Sequence, residues 1–401
     1  MMTADYLIIG AGIVGITIAL ELRKRYPESR IVLLEKEPEL GKHSSGRNSG
    51  VLHSGIYYPA GTLKATVCKQ GAIEMAEFHR EHKLRLRECG KLLVVADLQD
   101  AQQLETLAAR AQQHEIKIEV LDQQQLREME PEARSASGRA IYVPSTAVGD
   151  PVAVMRILNE KLQSQKITLR YSSKITEVDA ERRQVFLNGF DTISYGHTIN
   201  AAGLHADVVA HQFSCGEQYS LLPFKGIYWK LNPESGIRFN HLVYPVPDLR
   251  VPFLGVHTTT TVDGTTYLGP TAVPAFGRES YRGFEDLNVL ETGRIMAMLT
   301  SQFSANRDGF RRLAWQEGRR YFKHWFADAV RAIAPRITVK HLMPTDKVGI
   351  RAQMFEKQER KLVNDFLVEQ GANSTHILNA ISPAWTSAFP FARHICDHYL
   401  H

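Results

Sequence analysis

The sequence predicts a mixed α/β fold made of two domains or one large composite, on three observations. The chain has 401 residues, more than a single core usually covers. Its hydrophobic fraction of 44% is ordinary for a globular protein, and nothing suggests broad disorder. Its opening, DYLIIGAGIVGITIALELRKRYPESRIVLLEKE, runs from a short apolar segment through a glycine turn and a helix-spaced segment to a second apolar run. That is the sequence form of a β–α–β unit.

Each part of the opening has a physical task. Tyr6–Ile9 suits a buried parallel strand, and Ile16–Arg25 has helical spacing. Between them Gly10, Gly12 and Gly15 form G-x-G-x-x-G. Gly10 permits the tight turn, Gly12 admits a pyrophosphate against the backbone, and Gly15 lets helix meet strand. The helix N-terminus offers free N–H groups and a positive dipole end to phosphates. Ile31–Leu34 is the next strand, and Glu35 at its end can accept hydrogen bonds from ribose hydroxyls. Glycines, strands, helix and acid together predict a dinucleotide site.

The next stretch, HSSGRNSGVLHSGIYYPAG (43–61), replaces the second β–α–β crossover expected of a nicotinamide enzyme. Small residues such as Ser44, Ser45, Gly46, Ser49 and Gly50 let backbone amides run close along an extended cofactor such as FAD. Further on, Thr198–Ala201 reads as a strand ending in the small turn Ala202–Gly203. At the C-terminus, His376–Asn379 reads as a strand, and Ser382–Pro383 as the cap and first turn of a helix. Its N-terminus would face negative charge on a reduced flavin.

Lys plus Arg number 48 and Asp plus Glu 43, a net charge of +5. That excess fits an anionic small substrate or weak attraction to an anionic membrane, and is too dilute for nucleic acid. The basic run Arg307–Arg320 is spaced like the solvated face of a helix. Cys68, Cys89, Cys215 and Cys396 lie far apart without CxxC or metal spacing, so reduced thiols and no metal are expected. No signal peptide precedes the first strand and no apolar run approaches membrane-spanning length. A cytoplasmic protein is expected, with peripheral attachment at the inner face of the cell membrane kept open.

Taken together, the chain resembles the D-amino-acid-oxidase-like FAD oxidoreductases, and more narrowly the L-2-hydroxyglutarate dehydrogenase/oxidase family. GAGIVG, SGRNSGVLHSGIYY, CGKLLVV (89–95), LPFKGIYWKL (222–231), YPVPDLRVPFLGVH (244–257), YLGPTAVPAFGRESYRG (267–283), GIRAQ (349–353) and ISPAWTS (381–387) carry the likeness over almost the whole length. Lys225 stands where the family usually has arginine, Trp385 is bulkier than usual, and Arg47 departs from the family's loop.

The resemblance implies two interleaved domains. A Rossmann-like FAD domain would take 1–82, 143–212 and 344–401, and a substrate domain on a large mixed sheet 83–142 and 213–343. Leu92–Ala96, Ile227–Leu231 and Thr265–Leu268 read as strands, Asp286–Gln302 and Arg311–Ile333 as helices. The cofactor contacts implied are Gly10, Gly12, Gly15, Glu35, Lys36, Ser44, Ser45, Asn48, Ser49, Val178, Ala202, Gly203, Gly349, Ser382 and Pro383.

The reaction implied is oxidation of L-2-hydroxyglutarate to 2-oxoglutarate by hydride transfer to flavin N5, with electrons passing to a quinone or oxygen. It needs a base, for which His53 or His257 qualifies, and a carboxylate clamp, for which Arg351 is the candidate. Lys225, Tyr57, Tyr58 and Tyr244 are candidates for the second carboxylate. The alternatives are oxidation of another 2-hydroxy acid, glycerol 3-phosphate or an amine, and a flavin-binding assembly protein without turnover.

Overall fold

The computed structural model describes residues 2–189, 191–250, 253–283, 285 and 287–400. The expected helix start Asp286 and the motif residues Val251 and Pro252 lie outside the described residues. The chain forms two compact units, one from 1–48, 151–223 and 351–401, the other from 49–150 and 224–350.

The first unit is built on a sheet whose order is Ile175–Asp179, Gln184–Leu187, Asp191–Asn200, Met2–Ile9, Ile31–Leu34, Thr168–Arg170. Met2–Ile9 runs parallel to both neighbours, with Ile9 opposite Leu34 on one side and Asn200 on the other. Ser374–Ile377 adds in parallel beside Asp191–Asn200. The continuous apolar runs follow from this position, since Ile31–Leu34 is buried at every residue. Helix Ile13–Arg25 crosses the sheet and packs on helices Pro151–Ser164 and Ala388–Tyr399. Its buried Thr17 donates through Oγ1 to the Ala388 carbonyl at 3.2 Å.

The second unit holds an eight-stranded mixed sheet in the order Leu342–Met343, Trp229–Leu231, Thr266–Gly269, His257–Thr260, Leu242–Pro245, Lys91–Val94, Ala140–Val143, Glu119–Leu121. Leu242–Pro245 and Lys91–Val94 are parallel, and the pairings on either side of them are antiparallel. Strand alternation divides the core in two. Leu92, Val94 and Val243 join Phe326, Val330 and Ile333 on one face. Leu93, Val95 and Tyr244 join Val51, Ile56 and Tyr57 on the other. Lys91 has the parity of Leu93, so its side chain belongs to the Tyr57 face. A small sheet of Val51–Leu52, Ala147–Gly149 and Leu86–Arg87 leads the chain into His53.

Three expectations need correction. The single helix expected over Arg311–Ile333 is two, Phe310–Arg319 and Lys323–Arg331. Between them Arg320, Tyr321 and Phe322 donate to the carbonyls three residues back, a tightened turn that re-aims the chain so that Phe326 and Val330 reach the core. The strand expected over Ile227–Leu231 is interrupted at Tyr228, separating Tyr219–Ile227 from Trp229–Leu231. The last helix does not open at Ser382–Pro383: it begins at Ala388 behind Ser387. Residues 382–387 form a turn, with a cis Ser382–Pro383 bond and hydrogen bonds from Ala384 N to Ile381 O (2.8 Å) and Ser387 N to Pro383 O (2.9 Å).

Candidate functional site

In the first unit Gly10, Gly12, Gly15, Glu35, Ser45, Ala202 and Gly203 lie around the end of Met2–Ile9. Gly10 has φ +101°, and a Cβ there would lie 2.5 Å from Ala201 O and 3.0 Å from Ala202 Cα. The glycine turn and the Ala202–Gly203 turn are therefore in contact, and only glycine fits. A Cβ at Gly15 would collide with the Gly10 carbonyl oxygen. Gly12 stands at the N-cap of helix Ile13–Arg25 without a side-chain cap, and the first turn holds no acidic residue. The positive helix end is thus not neutralised from within, which fits an anionic pyrophosphate. Ser45 Oγ accepts from Ile13 N at 2.9 Å and fixes the 43–48 loop beside that helix end.

Glu35 is oriented by two backbone amides, Ala11 N at 3.2 Å and Glu37 N at 3.0 Å. Burial pushes its carboxyl pKa up, opposed by those hydrogen bonds. Lys36 is engaged with Glu37 and with His43 Nε2 at 2.9 Å. Asn48 Nδ2 donates to the carbonyls of Ser44 (3.2 Å) and Ser45 (2.9 Å), so it braces its own turn. Val178 stands on Ile175–Asp179, with two strands between it and Met2–Ile9. Arg170–Ser173 is the stretch that bonds to the Glu35 backbone, through Glu35 N to Arg170 O and Ser173 N to Glu35 O, both 2.8 Å. Asn200, which the sequence reading did not single out, orders the Ala202–Gly203 turn by accepting from Ala202 N at 3.1 Å and donating to Ala206 O at 2.7 Å. Its position, a lone amide at the end of an apolar strand, was the available signal.

In the second unit His53, Tyr57, Tyr244 and His257 gather on one face of the large sheet, around a residue the sequence reading passed over. Lys91 is fully buried, with Nζ 4.5 Å from the Tyr57 ring centre and 5.4 Å from that of Tyr244. Its Nζ has no hydrogen-bond acceptor among the described residues, and the two ring faces meet the charge instead. Burial brings its ammonium pKa down to about 7. Burial and the Lys91 charge push the His53 imidazole down to about 3, so His53 is neutral at physiological pH. Cys68 Sγ donates to the His53 carbonyl at 3.3 Å.

His257 is stacked on Tyr244, with centroids 3.7 Å apart and planes 17° from parallel. Its Nδ1 lies 2.8 Å from Gly255 O. A carbonyl only accepts, so Nδ1 carries the proton and Nε2 is left with the lone pair of a base. Tyr58 is partly buried against the same cluster, with the Lys64 ammonium 5.6 Å from its ring. Lys225 lines a separate cavity of about 350 Å³ with Tyr281, Arg282, Tyr321, Asp346 and Lys347. Burial lowers the pKa of both lysines there. Arg351 and Gly349 share the strand Val348–Glu356, with Arg351 half-buried, and Ser49 precedes Gly50, whose φ is +73°.

Lys91 gives a pH signature. The unfolded lysine keeps its proton to about pH 10.5 while the folded one releases it near 7. The unfolded state therefore binds more protons between those values, and stability rises with pH across that window. Lys91→Met is expected to raise Tm at pH 7 and to remove that rise. A thermal melt series from pH 7 to 10 checks it; a lower Tm at pH 7 would show the charge to be stabilising.

The family described as FAD dependent oxidoreductase matches residues 5–398. The L-2-hydroxyglutarate dehydrogenase of Escherichia coli is 33% identical over 398 residues, spanning 98% of this chain and 92% of that protein. The mitochondrial L-2-hydroxyglutarate dehydrogenase of Homo sapiens is 30% identical over 421 residues, spanning 98% of this chain and 88% of that protein. Among solved structures, L-alpha-glycerophosphate oxidase from Mycoplasma pneumoniae with FAD bound superposes with a TM-score of 0.75 at 21% identity, over 98% of this chain and 94% of that one. Glycine oxidase from Geobacillus kaustophilus does so with a TM-score of 0.72 at 15% identity, over 99% and 94%. At those identities the two structures share the fold.

Proposed function

This chain belongs to the L-2-hydroxyglutarate dehydrogenase family of FAD-dependent oxidoreductases, and from that premise we propose that it oxidises L-2-hydroxyglutarate to 2-oxoglutarate. The chief support is 33% identity to the Escherichia coli dehydrogenase over 98% of the chain. FAD is the cofactor, and when bound it supplies the hydride acceptor. In this reading the glycine-loop unit holds it, with Glu35 on the ribose and the N-terminus of Ile13–Arg25 on the pyrophosphate.

The unit built on the large sheet carries the base. His257 Nε2 accepts the hydroxyl proton, since its tautomer is fixed by Gly255 O and its ring is held by Tyr244. His53, kept neutral beside Lys91, is a hydrogen-bonding group and a weaker base than the task requires. Arg351 grips a carboxylate in two places. Lys91, buried against the rings of Tyr57 and Tyr244, brings a cation to this face when protonated, below its pKa of about 7. The electrons pass to a quinone or to oxygen, and the protein works in the cytoplasm or at the inner face of the cell membrane. No helix among the described residues is long and apolar enough to cross a membrane.

The test is an anaerobic visible spectrum before and after addition of L-2-hydroxyglutarate, with the D isomer and glycerol 3-phosphate as controls. Flavin bands bleached by the L isomer alone are expected. Bands that persist with the L isomer would overturn the substrate, and bleaching by a control would redirect it.

A further inference from the structure

The helices Val289–Ala305, Phe310–Arg319 and Lys323–Arg331 expose more aromatic and apolar surface than their packing explains. Phe310–Arg319 already has an inward face: Phe310 is buried, and buried Glu317 accepts from Ala272 N at 2.5 Å and pairs with Arg320. Its outward row is Arg311, Trp315 and Arg319, spaced one turn apart. Trp315 is 69% exposed, Phe322 67%, and Val289 and Leu290 more so. A soluble surface that needs none of these side chains for its core loses solubility by showing them together.

The exposed rings and cations are interleaved. The Arg311 guanidinium lies 5.6 Å from the Phe303 ring, and Arg319 lies 5.7 Å from Trp315 and 3.5 Å from Trp325. Phe303, Arg311, Trp315, Arg319 and Trp325 therefore form one continuous stripe. Beside it Leu299, Phe303, Phe310 and Leu313 line an apolar groove of about 300 Å³. From Val289 to Trp325 there are seven basic residues against three acidic ones, a +4 surplus in a chain whose net charge is +5. Two of those acids, Glu291 and Glu317, are already paired with Arg278 and Arg320.

We propose that this aromatic–arginine stripe is a docking surface for an anionic phospholipid membrane. Indole and phenyl rings favour the headgroup level, where an apolar body and a polar edge are both satisfied. Arginine forks bind lipid phosphates in two places while their stems lie along apolar surface. A second copy of the chain would bring like charge against like charge, whereas acidic headgroups complement the surplus. The proposal deepens the membrane location put forward above, but its structural grounds are independent of the substrate.

The test is flotation of the FAD-loaded full-length protein with phosphatidylglycerol/phosphatidylcholine vesicles and with phosphatidylcholine vesicles alone, at low and high salt. Binding to the anionic vesicles that weakens with salt is expected. The double variant Trp315→Ser/Trp325→Ser and the pair Arg311→Glu/Arg319→Glu should each lower it by about tenfold or more. Turnover with a soluble dye acceptor should be unchanged in both. Brominated lipids should quench the wild-type tryptophan fluorescence, a readout that needs no variant. Absence of binding, binding unaltered in the variants, or variants that change the mass in light scattering would overturn the proposal, the last by showing a self-association face. A wild type that floats yet does not turn over L-2-hydroxyglutarate with the dye would refute the substrate and leave the surface standing.

Discussion

His257→Asn is expected to lower kcat by about two to four orders of magnitude, the usual contribution of a positioned general base, with FAD still bound. Asparagine can keep the donor that His257 Nδ1 presents to Gly255 O at 2.8 Å, so the strand end is not left with an unmet carbonyl. It has no basic nitrogen to stand in for Nε2. The loss therefore reports proton transfer more than folding, and an unchanged flavin spectrum verifies that distinction. His53→Asn provides the contrast. His53 lies in the same cluster but is held neutral down to about pH 3, so its replacement should cost less in kcat. Steady-state kinetics of the two variants decide between them, and a larger loss at His53 would transfer the role of base to it.

Gly15→Ala is expected to abolish FAD retention. The added methyl would strike the Gly10 carbonyl oxygen, with Ile8 Cγ2 behind it at 3.3 Å. Backbone cannot step aside as a flexible side chain can, so helix Ile13–Arg25 must move off its strand. That movement spoils the turn whose Gly10 also abuts Ala201 and Ala202. Gly293→Ala is the matched control, because its Cβ would meet nothing within 4 Å among the described residues on an exposed stretch of Val289–Ala305. It should stabilise the protein by about 0.5–1 kcal/mol, the ordinary gain of alanine over glycine in a helix. Flavin absorbance per protein after gel filtration, with a thermal melt, checks both. A Gly15→Ala protein that keeps full flavin would show the cradle to be looser than its geometry.

Much of the first unit was legible in sequence because its signals are local. Gly10, Gly12, Gly15 and Glu35 sit within one β–α–β unit, where spacing alone fixes which turn each occupies. Ile31–Leu34 was read to the residue because a fully buried parallel strand is apolar throughout. Turn chemistry was less legible. Ser382–Pro383 resembles a helix start, yet Ser387 takes that place, since a Ser-Pro pair suits several turns and the hydrogen bonds of 382–387 choose among them. Which stretch crosses Glu35 depends on strand order, which local spacing does not show, and that stretch is Arg170–Ser173.

The sequence by itself determined the family and the glycine turn of the opening β–α–β unit. The tertiary structure alone decided how the candidate site residues are charged and which of them meet. In sequence Lys91 is a lysine after a glycine at a strand start. Only the pairing of Lys91–Val94 with Leu242–Pro245, and the packing of Tyr57 on the same face, enclose it between two rings. In the same way Gly255 O selects the tautomer of His257, and the break after Arg319 sets Trp325 against Arg319. Periodicity tells a side chain which face it occupies. Burial, electrostatic potential and partner come from segments distant along the chain, and these are what set a proton's affinity.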